Sequence, residues 1–334
     1  MKVAAVQMNA IFADVQANLE KIRHIVREAA LKQVQLIVFP EFCTSAIAFS
    51  EKMIDVTLQN QNITESIKSL SEHYDIVIGG STLQFDGHNA YNVFQLVFPN
   101  GQVYSHKKDI PTQFENCYYT KGDTVNLLQT PIGNIGVALC WEMLRYDTVK
   151  RLLGKSDVVL AGSCWWDLPD DAPPSRESLR KYNQHLAVET PLVFAQLLKV
   201  PVIHSSHCGE VTAFDFPNAQ MVQKRHFIGA AQIIDQEGKM IASRSFEQGE
   251  GLVISDLKFA AKEIIPTEIP TEKYWIPDLP IAYINAWKKS NPIGEIYYEN
   301  ISLPKYKKLL ALGRITQGAI HEYNHHSRRN DREN

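Results

Sequence analysis

One feature constrains this chain more than any other. Short, almost wholly apolar β-type runs alternate with segments of helical spacing. Residues 3–8 (VAAVQM) form the first such run. Residues 14–33 follow with apolar positions at Val15, Leu19, Ile22, Val26 and Ala29, and Asp14 stands where it can cap the first turn. Residues 36–39 (LIVF) form the next run and stop at Pro40. The same reading predicts helices at 62–73, 147–153 and 176–189, and strands at 75–81, 134–139, 157–161 and 192–198. Two hairpins interrupt the alternation. Runs at 91–98 and 102–106 flank Pro99-Asn100-Gly101, and Asn-Gly between β-rich runs is a strong hairpin signal. Runs at 227–234 and 239–242 flank a second turn, and 251–257 reads as a last strand. Hairpins among βα units predict a layered α/β sandwich with mixed sheets, not a parallel barrel.

Beyond Leu257 the texture changes. Six prolines, at 266, 270, 277, 280, 292 and 304, punctuate a stretch rich in Tyr and Trp. It is too apolar to read as disordered. The expectation is an extended arm packed on the rest of the chain or on a partner subunit, ending in a short helix at 304–312.

Charge narrows the function classes. Lys and Arg number 34 against 37 Asp and Glu, which leaves no electrostatic footprint for nucleic acid. No run approaches the roughly 18 apolar residues of a membrane span. The first residues lack the long apolar core of a secretory signal. No membrane association and a cytoplasmic location are therefore expected. Five cysteines, an odd and sparse set, do not suggest a disulfide framework. The question becomes which of them reacts.

Cys140, in GVALCWEM, stands where a buried strand gives way to a helical turn. N–H groups at a helix start are expected to favour its thiolate and to hold an oxyanion. Read alone, it is more readily a small core residue. Glu41 follows VFP at the end of another apolar run, where a carboxylate is costly unless paired or working. Lys108 lies in SHKKDIPT and Glu115 in PTQFENCYY. Each alone reads as a surface charge. Together the four make a coherent set. A thiol needs a base to become a nucleophile, a lysine can stabilise a tetrahedral intermediate, and a second carboxylate can orient the lysine.

On these segments the chain resembles the nitrilase superfamily of carbon–nitrogen hydrolases. The matching stretches are VAAVQM, LIVFPEF at 36–42, HKKDIPT at 106–112 with FENCYYTKGD following, and GVALCWE at 136–142. SDVVLAGSCWW at 156–166, FIGAAQIIDQEGKMIA at 227–242 and EGLVISDL at 250–257 also match. The resemblance implies a four-layer αββα sandwich over residues 1–260, with 261–334 as a C-terminal extension. It implies Glu41 as general base, Lys108 as oxyanion-stabilising lysine, Glu115 as supporting glutamate and Cys140 as nucleophile. The Trp141 N–H would share the oxyanion hole. Spacing to Pro111-Thr112 in the family pattern selects Lys108 over its neighbour Lys107. Glu142, Trp165, Trp166, Cys117 and Tyr118 are expected around the substrate pocket.

The resemblance implies hydrolysis of a small-molecule amide or carbamoyl compound through a covalent thioester. The alternative is a true nitrilase acting on a nitrile. CWE looks nitrilase-like, but Met143 stands where nitrilases usually carry Asn, and TKGD after Glu115 is closer to amidases. No cofactor or metal is implied, and a homodimer or larger homo-oligomer is expected. Two metal-like patterns stand apart. HEYNH at 321–325 is a literal HExxH, but few residues remain to supply a third ligand, so a zinc peptidase is disfavoured. His204, His207 and Cys208 form a compact HSSHC cluster without a completing set, and read as a polar loop.

Overall fold

The computed structural model describes residues 1–122, 127–214, 216–217, 221–259 and 267–313. In chain order, the first half builds β1 (Lys2–Met8), α1 (Val15–Leu31), β2 (Leu36–Val38), α2 (Lys52–Gln59), α3 (Ile63–Tyr74), β3 (Val77–Phe85), β4 (Ala90–Val97) and β5 (Val103–Lys107). The second half builds β6 (Leu128–Thr130), β7 (Gly133–Leu139), α4 (Tyr146–Leu152), β8 (Val158–Ser163), α5 (Glu177–Leu198) and β9 (Val202–His207). Hairpins β10 (Glu210–Phe214)/β11 (Val222–His226) and β12 (Ala231–Ile234)/β13 (Met240–Arg244) follow, then β14 (Gly251–Asp256). Helices α6 (Ile281–Tyr297) and α7 (Leu303–Ala311) complete the described elements.

Twelve strands form one sheet folded into two wings. One wing runs β5-β4-β3-β2-β1-β14, the other β6-β7-β8-β9-β12-β13. Among the described residues, their strands join where Gln7 and Met8 pair with Ser206 and His207. Strand alternation then sorts the side chains. Val3, Ala5 and Val38 of the first wing meet Val137, Leu160 and Ile203 of the second in a core between the wings. Ala4, Val6 and Ile37 turn outward against Ile22 and Val26 of α1. Ala138, Val159 and Val202 turn outward against Val149 of α4 and Phe194 of α5. The result is the four-layer αββα sandwich. Each fully buried Val, Leu or Ile in these cores contributes about 1.5–3 kcal/mol.

Local signals act as the sequence reading expects at α1, where Asp14 Oδ1 accepts from Ala17 N at 3.0 Å. The Asn-Gly turn joins β4 to β5 with Val97 opposite Val103. Three expectations are corrected. The helix at 176–189 and strand at 192–198 are one 22-residue helix, α5, running through Pro191. Pro191 forfeits one backbone hydrogen bond, but Pro191, Phe194 and Leu198 are buried and hold the helix on its sheet. The HSSH stretch is no loop: it lies in β9, every residue of which is buried. Its polar atoms are met inside, as where Ser205 Oγ donates to Val38 O (2.6 Å) and accepts from Val6 N (3.1 Å). The third concerns the extended arm, which contains the 17-residue α6 despite Pro292.

The extension packs on the sandwich. Tyr298 Oη accepts from Ala90 N at 2.9 Å, Ser302 Oγ donates to Cys117 O at 2.6 Å, and Tyr306 Oη donates to Tyr118 O at 3.0 Å. The HExxH segment at 321–325 lies outside the described residues. Among the described residues, no helix is long and apolar enough to cross a membrane.

Candidate active site

The C-terminal ends of β2, β5, β7 and β8 open on the same edge of the sandwich, and each delivers one piece of a buried cluster. Glu41 lies three residues past β2, where Phe42 turns the chain with φ +51°. Ser81 Oγ accepts from Phe42 N (3.0 Å), and His207 Nε2 stands 2.6 Å from the Glu41 carbonyl. Gly162 makes room for this turn, since a Cβ there would lie 2.8 Å from Glu41 N. Lys108 follows β5 directly, its N–H on Asn92 O at 2.9 Å. Lys107, pointing the other way, rests its ammonium 4.3 Å from the Tyr91 ring centre. Glu115 sits in a 3₁₀ turn (Gln113–Cys117) and Cys140 opens another (Cys140–Leu144) with φ +51°.

The four side chains are brought together out of water, at 0% exposure for Glu41, 1% for Lys108, 6% for Glu115 and 4% for Cys140. Lys108 Nζ stands 2.8 Å from Glu41 Oε1 and 2.7 Å from Glu115 Oε2. Asn92 Nδ2 donates to Glu41 Oε1 at 2.9 Å, and Cys164 N donates to Glu41 Oε2 at 3.3 Å. The same Cys164 amide acts on the Cys140 thiol. Thr112 N (3.0 Å) and the Tyr119 hydroxyl both donate to Glu115 Oε2.

Electrostatics set Glu41, Lys108 and Cys140 apart. Burial, reinforced by the like charge of Glu115 and opposed by Lys108, raises Glu41 to about 7. Burial works against the Lys108 ammonium, yet Glu115 and Glu41 outweigh it and hold its pKa well above the usual value. Cys140 is pushed well above the usual thiol value, first by burial and then by Glu41. This corrects the expectation of a helix-start thiolate. Desolvation and a neighbouring carboxylate outweigh the few N–H groups of a short 3₁₀ turn, and they favour the neutral thiol at Cys140.

Glu142 is equally buried but fully committed. His106 Nε2 lies 3.0 and 3.2 Å from its two oxygens, Asp109 N donates at 3.0 Å and Leu139 N at 2.7 Å. Burial opposes its charge, but His106, and after it Arg151 and the Asp109 side chain, hold its pKa well below the usual carboxylate value. Asp109 in turn takes a bidentate pair from Arg145 at 2.9 and 2.6 Å. Glu142 thus ties the segment bearing Lys108 to the turn bearing Cys140.

The Trp pair divides. Trp165 packs in the same cluster as Cys140 and donates Nε1–H to Asn183 Oδ1 at 3.0 Å, with the Trp141 ring 6.5 Å away. Trp166 packs against Phe114 (5.1 Å), next to Glu115, with the Arg225 guanidinium 5.4 Å over its ring. Cys117 and Tyr118 lie in the outer core of the first wing, where Tyr118 Oη accepts from Ser50 N at 2.7 Å. Of the two adjacent tyrosines, Tyr119 is the one that reaches Glu115. His204 and His207 do not converge as metal ligands. His204 Nε2 pairs with Ser163 Oγ at 2.8 Å, and burial pushes both imidazoles down to about 4. Asn92, Tyr119 and the Cys164 amide are partners that sequence reasoning missed. Only Asn92 left a trace, as an Asn inside an otherwise apolar-rich strand.

Fold and site together define a hydrolase-type αββα protein, and the comparisons agree. The chain belongs to the carbon-nitrogen hydrolase family, whose model matches residues 2–263. It is 27% identical to Nitrilase 2 of Arabidopsis thaliana over 164 residues, 42% of this chain and 48% of that protein, so the match spans about half the relative's length. It is 24% identical to an aliphatic nitrilase of Sinorhizobium fredii over 280 residues, covering 77% of this chain and 86% of that one. Among solved structures, a carbon-nitrogen hydrolase from Helicobacter pylori G27 aligns with a TM-score of 0.66 at 15% identity, covering 77% and 88% of the two chains. An amidase from Nesterenkonia sp. aligns at 0.60 and 16% identity, covering 78% and 91%.

Proposed function

We propose that the chain hydrolyses a non-peptide carbon–nitrogen bond of a small amide or carbamoyl compound, with Cys140 as nucleophile. The observation that carries this reading is one ammonium held between two buried carboxylates beside a thiol. Glu41, near 7, takes the thiol proton as sulfur attacks the carbonyl carbon. The displaced electron pair moves to oxygen, where Lys108 and the Trp141 N–H stabilise it. Collapse breaks the C–N bond, and Glu41 returns the proton to the leaving amine, leaving a thioester. Water, deprotonated by Glu41, then releases the acid and restores the thiol. Glu115 and Tyr119 hold Lys108 in place throughout.

The curated relatives favour a second reading, a nitrile substrate, in which the same attack gives a thioimidate. Ammonia release from matched amides, ureido acids and nitriles separates the two, with Cys140→Ser as control. Amides and ureido acids as the main substrates support the first reading. Turnover of nitriles alone replaces it with the second. Turnover that survives Cys140→Ser but is lost to a chelator defeats both. The same reading includes a homodimer or larger assembly, which sedimentation measures.

A further inference from the structure

Both turns that carry the proposed chemistry begin with a strained residue, and the C-terminal extension holds both. Gln113 opens the Glu115 turn with φ +54°, a left-handed conformation that costs a non-glycine residue energy unless its surroundings impose it. Its N–H donates to Asn291 Oδ1 of α6 at 3.0 Å. Three residues along α6, on the same face, Gly294 sits so close that a Cβ there would meet Asn116 Cβ at 2.6 Å. Cys140 opens the second turn with φ +51°. Here the residues just before α6 add backbone hydrogen bonds, Ile276 N to Leu144 O at 2.8 Å and Tyr146 N to Tyr274 O at 3.1 Å, with Trp275 bridged to Arg145 between them. The Trp275 ring meets Trp141 edge-on at 5.9 Å and Trp287 of α6 at 5.2 Å. The two anchor points are therefore linked through packed rings.

We propose that residues 274–294 form a positioning strap for the active site, in which Asn291 holds the Glu115 turn and residues 274–276 hold the Cys140 turn. The family match ends at residue 263, so the strap lies wholly beyond it. The inference rests on the functional reading above. Its physical basis is that the Glu115–Lys108 contact is 2.7 Å long. A shift of about 1 Å in the turn breaks that contact and misplaces the ammonium. Asn291 and Gly294 touch no reacting atom, so they are positioning residues.

The test uses the full chain and three variants: Asn291→Ala removes the acceptor, Asn291→Asp keeps an accepting oxygen, and Gly294→Ala wedges the helix away. Readouts are kcat, KM, melting temperature and the rate of Cys140 alkylation by iodoacetamide, located by peptide mass. The expected result is at least a tenfold loss of kcat in Asn291→Ala and Gly294→Ala, with KM within twofold. Cys140 alkylation slows in parallel, and Asn291→Asp recovers both rates. Folded Asn291→Ala or Gly294→Ala protein with unchanged kcat and alkylation overturns the strap, as does failure of Asn291→Asp to recover either. Should Asn291→Ala not fold, Gly294→Ala decides alone. Wild-type protein that turns over no carbon–nitrogen compound refutes the functional reading, while the alkylation contrast still decides the strap.

Discussion

Glu41 and Glu142 are both carboxylates with no exposure to water, yet they sit in opposite states. Glu41 has Asn92, Lys108 and the Cys164 amide, must share Lys108 with Glu115, and is raised to about 7. Glu142 has His106 and two backbone N–H groups, and lies well below the usual range. The difference teaches that burial alone assigns no role. A buried carboxylate that shares its ammonium with a second carboxylate is poised to take a proton, whereas one held ionised by neighbours such as His106 and Arg151 is a brace. The two clusters share the same pair of segments, residues 106–109 and 139–145, so the brace also sets the geometry of Lys108 and Cys140.

Exchanging the two glutamates' substitutions breaks this comparison most sharply. Glu41→Gln is expected to lower kcat by about 10²–10⁴-fold, the usual worth of a general base, with a melting temperature close to wild type. Equal activity in the two proteins would remove Glu41 from the mechanism. Glu142→Ala should behave in the opposite way, costing about 3–5 kcal/mol in denaturant unfolding because His106 and two N–H groups lose their buried partner. Unfolding midpoints equal to wild type would show that Glu142 braces nothing.

Acidity distinguishes the clusters without any substitution. Protonation of Glu41 removes the base, so kcat/KM is expected to fall as pH drops through about 7. A rate that stays flat from pH 8 to 5 would contradict the poised state. Glu142 has a depressed pKa, so its stabilisation is present above the unfolded value of about 4.5 and is lost only as pH falls below it. Stability should therefore hold through the window in which activity declines. The smallest effect is expected at Cys117. It closes the Glu115 turn but is buried in the outer core, and Cys117→Ala should leave kcat within twofold. A tenfold loss would return Cys117 to the site.

Glu41 and Cys140 are legible in the chain because each ends a recognisable apolar run, where a charge or thiol is out of place, whereas Lys108 and Glu115, each a surface charge when read alone, are picked out by the set of four and the family pattern. Asn92, Tyr119 and the Cys164 amide are not legible, because only the folding of three strands onto one edge brings them to those groups. Lys107 and Lys108 could be separated because the family spacing to Pro111-Thr112 picks one, and adjacent residues of an extended strand face opposite ways. No such rule chooses between Tyr118 and Tyr119, which both follow a 3₁₀ turn. The layered fold was readable from alternation, while α5 and α6 were masked by Pro191 and Pro292. In α5 the packing of Pro191, Phe194 and Leu198 outweighs one lost backbone hydrogen bond. The polar HSSH of β9 hid a buried strand for a related reason, since its hydroxyl and imidazole partners lie on distant segments.

The central claim is that Cys140 carries the substrate's acyl group during turnover. Acid-quenching the full chain in mid-turnover, followed by intact and peptide mass measurement, tests it directly. The account predicts an added acyl mass on the Cys140 peptide that disappears as substrate is exhausted and is absent in Cys140→Ser. Steady turnover with no adduct on Cys140, or an adduct on Cys43, Cys117, Cys164 or Cys208 instead, would contradict it.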